Sequence, residues 1–435
     1  MNEMAKQMAK YFKEKPEYKR LLNGIKSKYI NFGEIKGNVV IKNPDNAEAE
    51  ALSGLMKKDY SKNKSISINL AVLQKRIDES KFYGAELKDI IFEYFKEEIT
   101  TKKENKNSYE NQLSEYFKEI VEQNKNTKIY NTLKEIVESK NQIYYKLKKY
   151  YNKNKEELRT ALINASKGIN ELPKSRTRIP VYASNITGNP HGFDRNTLCG
   201  KLFITLICYM EKIQYPNNTE ELAEIYYNNN LLIDDVSNMV LCKNVLGFIK
   251  NNKEQYIEHQ GLQGFYQNHE PIYLNLFNLS NIESLAKPSK YKEVMVMENP
   301  TVFMEVSEKC NKKDFPLVCT YGQVKLSGLI LLDMFVRQGY KICYSGDLDP
   351  EGIQIADKLK QRYKNNLKFF GFDVDTYNKK LSNVYLSETR IKKLNGIKSF
   401  ELLKICDKIR ASKKASYEEE NIDNIIKYIN SKYNK

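Results

Sequence analysis

Acidic residues stand at two places in the last third of the sequence where apolar runs end. Glu298 follows the run KEVMVM, and Asp347 and Asp349 follow the run YKICYS. Two aspartates that lie two positions apart in an extended turn can face the same way. Clustered carboxylates bind hard divalent cations such as Mg²⁺ or Mn²⁺, and such a cation supports chemistry at phosphate esters. The sequence therefore predicts a metal-dependent site built from Glu298, Asp347 and Asp349.

Strands that alternate with helices are the elements needed to bring these acids together. KEVMVM, PLVCT and YKICYS read as three buried strands, and each is followed by a helical pattern. Such alternation builds a parallel sheet, and ligands bind outside the carboxyl ends of its strands. Pro350 and Gly352 fit the start of the third helix, where the helix N-terminus favours phosphate. We expect a Rossmann-like α/β sheet with the three acids at one edge.

Glu351 and a second aspartate pair, Asp373 and Asp375, are weaker candidates. Glu351 either adds a metal ligand or only favours the N-terminus of the helix in which it stands. The pair in GFDVDTYN has the same spacing as Asp347 and Asp349, but no acidic residue at a neighbouring strand end accompanies it. We interpret this second pair as a surface loop.

A separate polar cluster lies in the segment TGNPHGFDR, which precedes a long apolar helix. His191, Asp194 and Arg195 form a small polar site there or, alternatively, a turn in which the aspartate caps the helix and the arginine pairs locally.

The composition limits the classes of protein to consider. The 435 residues suggest two to four domains, and a net charge of +16 indicates an acidic partner such as nucleic acid. The lysine-rich and asparagine-rich composition of an AT-rich genome would also produce such a charge. No apolar run is long enough for a membrane span, and seven cysteines without CxxC spacing predict free thiols and a cytoplasmic protein rather than a zinc site.

The pattern of turns and apolar positions divides the chain into four predicted regions. The apolar spacing Leu113, Phe117, Ile120, Val121 is one helical stripe within a stretch without Gly or Pro. The regions are a small α/β, winged-helix-like module at 1–83, a helical arm or bundle at 84–170, a mostly helical middle domain at 171–285, and the α/β domain with C-terminal helices at 286–435.

The motifs ENPTVF, PLVCTYGQ and SGDLDPEGIQIA, in this order, resemble the Toprim domain of topoisomerases, primases and some nucleases. DLDPEGIQIA is similar to the Toprim of the topoisomerase VI A subunit. With ITGNPHGFDRNTLCGKL, PEYKRLL and GNVVIKN, nearly the whole chain resembles the JetD-type subunit of Wadjet anti-plasmid systems, in the branch with a variant Toprim. This chain has GDLDPEG where many relatives have an aromatic-rich GDFDWPG, so that Glu351 completes a DxDxE arrangement.

The resemblance implies a metal-dependent endonuclease that cuts plasmid double-stranded DNA. Asp347 and Asp349 would bind Mg²⁺ or Mn²⁺, and Glu298 would bind a second ion or act as a general base. The implied partners are an SMC-like ATPase, a kleisin-like subunit and small accessory subunits, and the protein itself would be a homodimer. Two alternatives remain open: a topoisomerase-like transesterase that uses Tyr226 or Tyr227, and a non-catalytic DNA-binding adaptor.

Overall fold

The computed structural model describes residues 2–287, 291–311, 314–379 and 381–432. They form two compact units, of which the first ends at Glu156 and the second begins at Glu157.

The first unit combines a small sheet with helices. Its helices are α1 (Glu3–Lys13), α2 (Lys19–Phe32), α3 (Asn46–Met56), α4 (Leu70–Asp78), α5 (Leu87–Phe95), α6 (Lys102–Gln123), α7 (Tyr130–Ser139) and α8 (Gln142–Lys153). Its strands are β1 (Asn38–Lys42) and β2 (Ser65–Asn69), which pair antiparallel.

Local sequence explains most of these boundaries. Asp45 caps α3 and Thr101 caps α6, each in a capping box with the glutamate three residues later. In β1 and β2 every second residue is buried, and these residues pack in one core with α1 to α5. The two strands and the helices that the sequence predicts within 1–83 are present, but the core of this module continues to Ile99.

The helical stretch after residue 84 is confirmed, with one difference. The predicted stripe of Leu113, Phe117, Ile120 and Val121 is buried on α6. The polar segment QNKNTK separates α6 from α7, as expected, whereas NKNSYENQ lies inside α6. The capping box at Thr101 starts the helix upstream of that segment, and its polar side chains remain in solvent along the helix.

The second unit contains the remaining elements. Its helices are α9 (Lys155–Asn170, which begins at the boundary), α10 (Ile179–Thr187), α11 (Leu198–Glu211), α12 (Thr219–Asn228), α13 (Gln260–Gln267), α14 (Leu276–Asn281), α15 (Pro300–Lys309), α16 (Leu326–Arg337), α17 (Pro350–Tyr363), α18 (Val374–Lys379), α19 (Glu388–Ile391), α20 (Phe400–Ser412) and α21 (Ile422–Ser431). Its strands are β3 (Thr177–Arg178), β4 (Leu231–Leu232), β5 (Met239–Lys243), β6 (Gly247–Lys250), β7 (Tyr256–Glu258), β8 (Ile272–Asn275), β9 (Ser284–Leu285), β10 (Glu293–Met297), β11 (Leu317–Cys319), β12 (Lys341–Ser345), β13 (Leu367–Phe369), β14 (Leu381–Tyr385) and β15 (Lys414–Ser416).

A six-stranded mixed sheet forms the centre of the second unit, in the order β13-β12-β10-β11-β5-β8. The first four strands are parallel, and β10, β11 and β12 among them are the three strands that the sequence predicts. The sheet as a whole is not parallel, because β5 runs antiparallel to β11 and β8 runs antiparallel to β5. Both added strands precede residue 286, and antiparallel strands at the edge of a parallel sheet are common in large sheets.

Alternation along the central strands divides the core between the two faces of the sheet. Val294 and Val296 of β10 join one core, to which α16, α17 and α20 contribute. Met295 and Met297 join the other core, to which α15 and α21 contribute. With both faces covered, the strand ends are the part of the sheet left open to a ligand.

All seven cysteines are free thiols, and six of them are buried. In the described part of the chain, no helix has both the length and the apolar character that a membrane span requires.

Candidate active site

Two adjacent strands bring Glu298 and Asp347 together. Met297 pairs with Ser345 of β12 on one side and with Cys319 of β11 on the other, so Glu298 leaves the sheet beside the loop that carries Asp347. The backbone N–H of Asp347 donates to Oε2 of Glu298 at 3.2 Å, and the hydroxyl of the buried Tyr344 lies 3.4 Å from the same oxygen. The predicted meeting of these two acids is therefore present.

Two glycines make this close approach possible. A Cβ atom on Gly346 would lie 2.7 Å from Oε2 of Glu298, and one on Gly352 would lie 2.3 Å from the carbonyl oxygen of Asp347. Both separations are shorter than real Cβ contacts, so a larger residue at either position would push an acidic residue away.

Asp349 caps α17 and forms an ion pair. Its Oδ1 accepts the N–H of Gly352 at 2.8 Å, and its Oδ2 accepts a hydrogen bond from the Arg390 guanidinium. Arg390 also reaches both oxygens of Glu351, and Lys393 donates to Glu351 at 2.7 Å. Asp349 is only 7% exposed, so its contact with the Arg390 guanidinium lies in a largely buried space.

Glu418 is a fourth acidic residue at this site, and the sequence did not reveal it. It follows β15 in a 3₁₀ turn, and β15 is tied to the site by two backbone hydrogen bonds between Ser416 and Leu348. The N–H of Glu418 donates to Oδ1 of Asp347 at 2.8 Å, and its Oε2 accepts the N–H groups of Glu298 and Asn299 at 3.0 and 2.8 Å. A run of three glutamates, as in SYEEEN, is typical of a solvated turn, and only the burial of its first member distinguishes that residue.

Burial gives the acids unequal proton affinities. It raises the pKa of Glu298 to about 7, with a further increase from the nearby charge of Asp347, and it raises the pKa of Asp347 to about 6. For Asp347, the N–H of Glu418 offsets part of the increase, and Asp349 adds to it. Burial also raises the pKa of Glu418 to about 8, although the Asn299 amide and the nearby Ser345 hydroxyl lower it in part.

Glu351 behaves in the opposite way. Burial alone would raise its pKa, but hydrogen bonds from Arg390 and Lys393 lower it to about 2. Glu351 is therefore ionised and held by two cations, which fits a helix N-terminal acid with local partners better than a metal ligand.

The chemistry of these donors suits a divalent cation. Glu298, Asp347 and Glu418 place three carboxyl groups in a largely buried space, and Oε1 of Glu418 has no hydrogen-bond partner among the described residues. However, no three acidic, His or Cys side chains in the described ranges are spaced as ligands of one ion. The reason is visible in their contacts, since Glu298 and Glu418 direct Oε2 to backbone amides and Asp349 faces Arg390. The donor set fits in kind, and the side chains would have to turn to surround an ion.

The other polar candidates lie apart from these contacts. His191 Nδ1 is 3.0 Å from Oδ2 of Asp194, while Arg195 turns to the carbonyl oxygen of Pro216 at 3.1 Å. The three residues therefore do not form one cluster. Thr197, rather than Asp194, caps α11 through the N–H of Gly200.

The second aspartate pair lies on the surface. Asp373 accepts hydrogen bonds from the amide and the hydroxyl of Thr376, both at 2.8 Å, and both aspartates of the pair are exposed. The contacts of Asp373 are those of a helix start.

The two adjacent tyrosines of α12 lie in apolar or cationic surroundings. Tyr226 is 2% exposed, its ring lies near Phe203, and burial raises the pKa of its hydroxyl far above the usual range. Arg176 lies 3.6 Å from the centre of the Tyr227 ring. Neither environment resembles that of an accessible nucleophile.

Comparison with known proteins identifies two family regions. Residues 35–247 match the family described as "Protein of unknown function N-terminus (DUF3323)", and residues 272–429 match "Protein of unknown function C-terminus (DUF2399)". No curated protein matches the chain. The second match contains Glu298, Asp347, Asp349 and Glu418. The chain therefore has a DUF3323 region followed by a DUF2399 region.

Proposed function

We propose that the protein is a metal-dependent DNA endonuclease whose second unit contains a Toprim-type site. One observation carries this proposal: Glu298 and Asp347 meet at the ends of two adjacent parallel strands, with Asp349 two residues further on. Ligand sites in α/β sheets lie at such strand ends. The net charge of +16 supports a polyanionic substrate.

The proposed reaction is hydrolysis of a phosphodiester. A bound divalent cation would polarise a phosphoryl oxygen and acidify its water, and Asp347 and Asp349 would hold that ion. The water oxygen bonds to phosphorus, one ester P–O bond breaks, the proton of the water passes to Glu298, and the leaving oxygen takes up a proton from solvent. With its pKa raised to about 7, the Glu298 carboxylate is a stronger base than an ordinary glutamate, and enough of it is ionised near neutral pH to accept a proton.

The proposed setting is a plasmid-restricting complex. The order of a DUF3323 and a DUF2399 region is the domain pair of JetD-type proteins, which agrees with the resemblance in the sequence motifs. We therefore propose double-stranded plasmid DNA as the substrate, an SMC-like ATPase with kleisin-like and small accessory subunits as partners, and a homodimer, since a two-fold axis matches that of a duplex. A winged-helix-like role for the N-terminal module in gripping DNA belongs to the same proposal.

The test compares DNA shapes at constant sequence. We expect the isolated protein with Mn²⁺ to cut small minicircles and to cut the linear duplex at least roughly 10-fold more slowly, because sharp bending of a short site is worth about 1–6 kcal/mol. The purified motor complex should remove most of the difference by bending long DNA. Equal rates on both shapes would reject DNA shape as the control, and no cleavage of either shape, with or without the motor, would reject the nuclease.

One observation favours a second candidate, a DNA-binding adaptor without catalysis. The carboxylates do not surround a common point, and Arg390 occupies Asp349 and Glu351. An adaptor would bind DNA and show no affinity for Mn²⁺ at this site, so titration of the full chain with Mn²⁺ separates the two functions. The transesterase alternative has less support, because Tyr226 is buried.

A further inference from the structure

Glu418 contacts both strand ends of the proposed site. Its N–H holds Asp347 at 2.8 Å, and its Oε2 receives the N–H of Glu298 at 3.0 Å and that of Asn299 at 2.8 Å. Asn299 is the N-cap of α15. One carboxylate oxygen therefore connects the end of β10 and the start of α15 to the turn after β15.

The second oxygen of Glu418 has no such role. Glu418 is 1% exposed, and its Oε1 has no hydrogen-bond partner among the residues that the structure describes. A buried carboxyl oxygen without a partner is unfavourable. Holding the two backbone amides needs only one neutral acceptor, which a glutamine would supply.

A bound cation would supply the partner that Oε1 of Glu418 lacks among the described residues. Arg390 and Lys393, the cations of this site, pair with Asp349 and Glu351, and the described hydrogen bonds of Glu418 involve neither. The hard oxygen donors at these strand ends are suited to Mg²⁺ or Mn²⁺.

We propose that Glu418 is a fourth carboxylate of the metal site, which positions Glu298 and Asp347 through Oε2 and contributes Oε1 to the divalent cation. This inference rests on the proposed function, because it assigns a further residue to the same site. It also assigns a catalytic-site role to a residue 71 positions beyond Asp347.

The experiment measures Mn²⁺ binding by the full chain, by calorimetry and by electron paramagnetic resonance of free Mn²⁺, without DNA. Glu418→Gln keeps the size of the side chain and one acceptor for the two amides, but removes the charge. We expect the variant to fold and to be at least as stable as the wild type in chelator. We also expect it to bind Mn²⁺ roughly 10-fold to 100-fold more weakly, because even the loss of a residue that only supports a direct ligand lowers metal affinity by that factor.

Asp357→Asn is the matched control. Asp357 is also a buried acid of the second unit, but it is fully bonded to the amides of Lys398 and Ser399 and to the Ser399 hydroxyl. We expect Asp357→Asn to lower the unfolding temperature without a change in Mn²⁺ affinity. A general loss of stability therefore cannot account for the effect expected of Glu418→Gln.

Three results would overturn the inference. Wild-type Mn²⁺ affinity in Glu418→Gln would show that the residue only connects the strand ends. A Glu418→Gln chain that does not fold would contradict the expectation that its charge is unfavourable without a cation. A wild-type protein that binds no Mn²⁺ would reject both this inference and the proposed metal site, whereas Mn²⁺ binding without DNA cleavage would reject the nuclease function alone.

Discussion

The two aspartate pairs of the second unit share a spacing and differ in every physical property that matters for a site. Asp347 and Asp349 follow a buried strand, and Asp349 is 7% exposed. Asp373 and Asp375 are exposed, and Asp373 caps a short helix. The sequence motif DxD is therefore not itself a site. The neighbours that the fold supplies make the difference.

Those neighbours come from distant parts of the chain. Glu298 lies 49 positions before Asp347, and Glu418 lies 71 positions after it. Together they hold the first pair in a small space where burial and like charge raise the pKa of Glu298 and Asp347. The second pair has water around it, which screens its charges. In the first pair, Asp347 lies against the buried acids Glu298 and Glu418, and a divalent cation would relieve the repulsion in that group.

The largest expected effect is a difference in plasmid cleavage between variants of the two aspartate pairs. Asp347→Asn should lower the rate of plasmid cleavage with Mn²⁺ by more than roughly 100-fold, since even outer-shell partners of a metal contribute about 10-fold to 100-fold. Asp349 is tested with Asp349→Asn rather than Asp349→Ala, because asparagine can still cap α17. Loss of the cap alone would lower the free energy of unfolding by about 1 kcal/mol. Supercoiled-plasmid nicking with each purified variant measures the effect.

The double variant with Asn at both 373 and 375 is the control for that experiment. It should keep activity within a few-fold of the wild type, because asparagine also caps helices and neither residue is buried. If the control loses cleavage as completely as Asp347→Asn, the site has been assigned to the wrong pair.

A smaller effect concerns Arg390, the cation that pairs with Asp349 and Glu351. Arg390→Ala leaves the buried Asp349 and the half-buried Glu351 without their guanidinium partner. We expect the free energy of unfolding in chelator to fall by about 1–3 kcal/mol, as for other hydrogen bonds to charged groups, and Mn²⁺ to restore part of it. Chemical denaturation with and without Mn²⁺ tests this.

Lys413→Ala provides the comparison for Arg390→Ala. Lys413 pairs with Glu388, and both side chains are more than half exposed. Such a surface pair is worth about 0–1 kcal/mol, so this variant should be nearly as stable as the wild type and insensitive to Mn²⁺. An Arg390→Ala variant that matches Lys413→Ala would show that the strand-end acids do not depend on a neighbouring cation.

Much of the site was predictable because its central parts follow one another along the chain. The runs KEVMVM, PLVCT and YKICYS are β10, β11 and β12, and the sheet places Glu298 beside Asp347. The periodicity of apolar residues sets the strands, and their parallel order sets the edge at which the acids meet.

The unpredicted parts depend on contacts between distant segments. β5 and β8 join the sheet from residues before 286, and short apolar runs do not reveal which sheet edge they will pair with. Arg390 and Glu418 look like ordinary surface charges in the sequence. Only the folding of α19 and β15 against the DxD loop shows that they bind its acids.

The smallest expected effect is a pH dependence of the free energy of unfolding. The acids around Asp347 produce it, and the exposed pair of Asp373 and Asp375 does not. In chelator, Glu298, Asp347 and Glu418 have folded-state pKa values of about 7, about 6 and about 8, above the ordinary values of 4.5, 3.8 and 4.5. Between pH 5 and pH 8 the folded protein therefore binds more protons than the unfolded chain, so the free energy of unfolding falls as pH rises. The fall attributable to Asp347 should be on the order of 1 kcal/mol, because one pKa unit corresponds to about 1.4 kcal/mol and solvent access reduces the effect.

Asp347→Asn should reduce this fall without abolishing it, because Glu298 and Glu418 still titrate in the same window. The double variant at 373 and 375 should leave the fall unchanged. The lowered pKa of Glu351 acts in the opposite sense, but only below pH 4.5, where the stability that its ion pairs contribute is lost as pH falls toward 2. The window from pH 5 to pH 8 therefore isolates the acids with raised pKa values. Urea denaturation of the three proteins at four pH values within that window gives the slopes. Equal slopes for wild type and Asp347→Asn would mean that the first pair is no more strained electrostatically than the second.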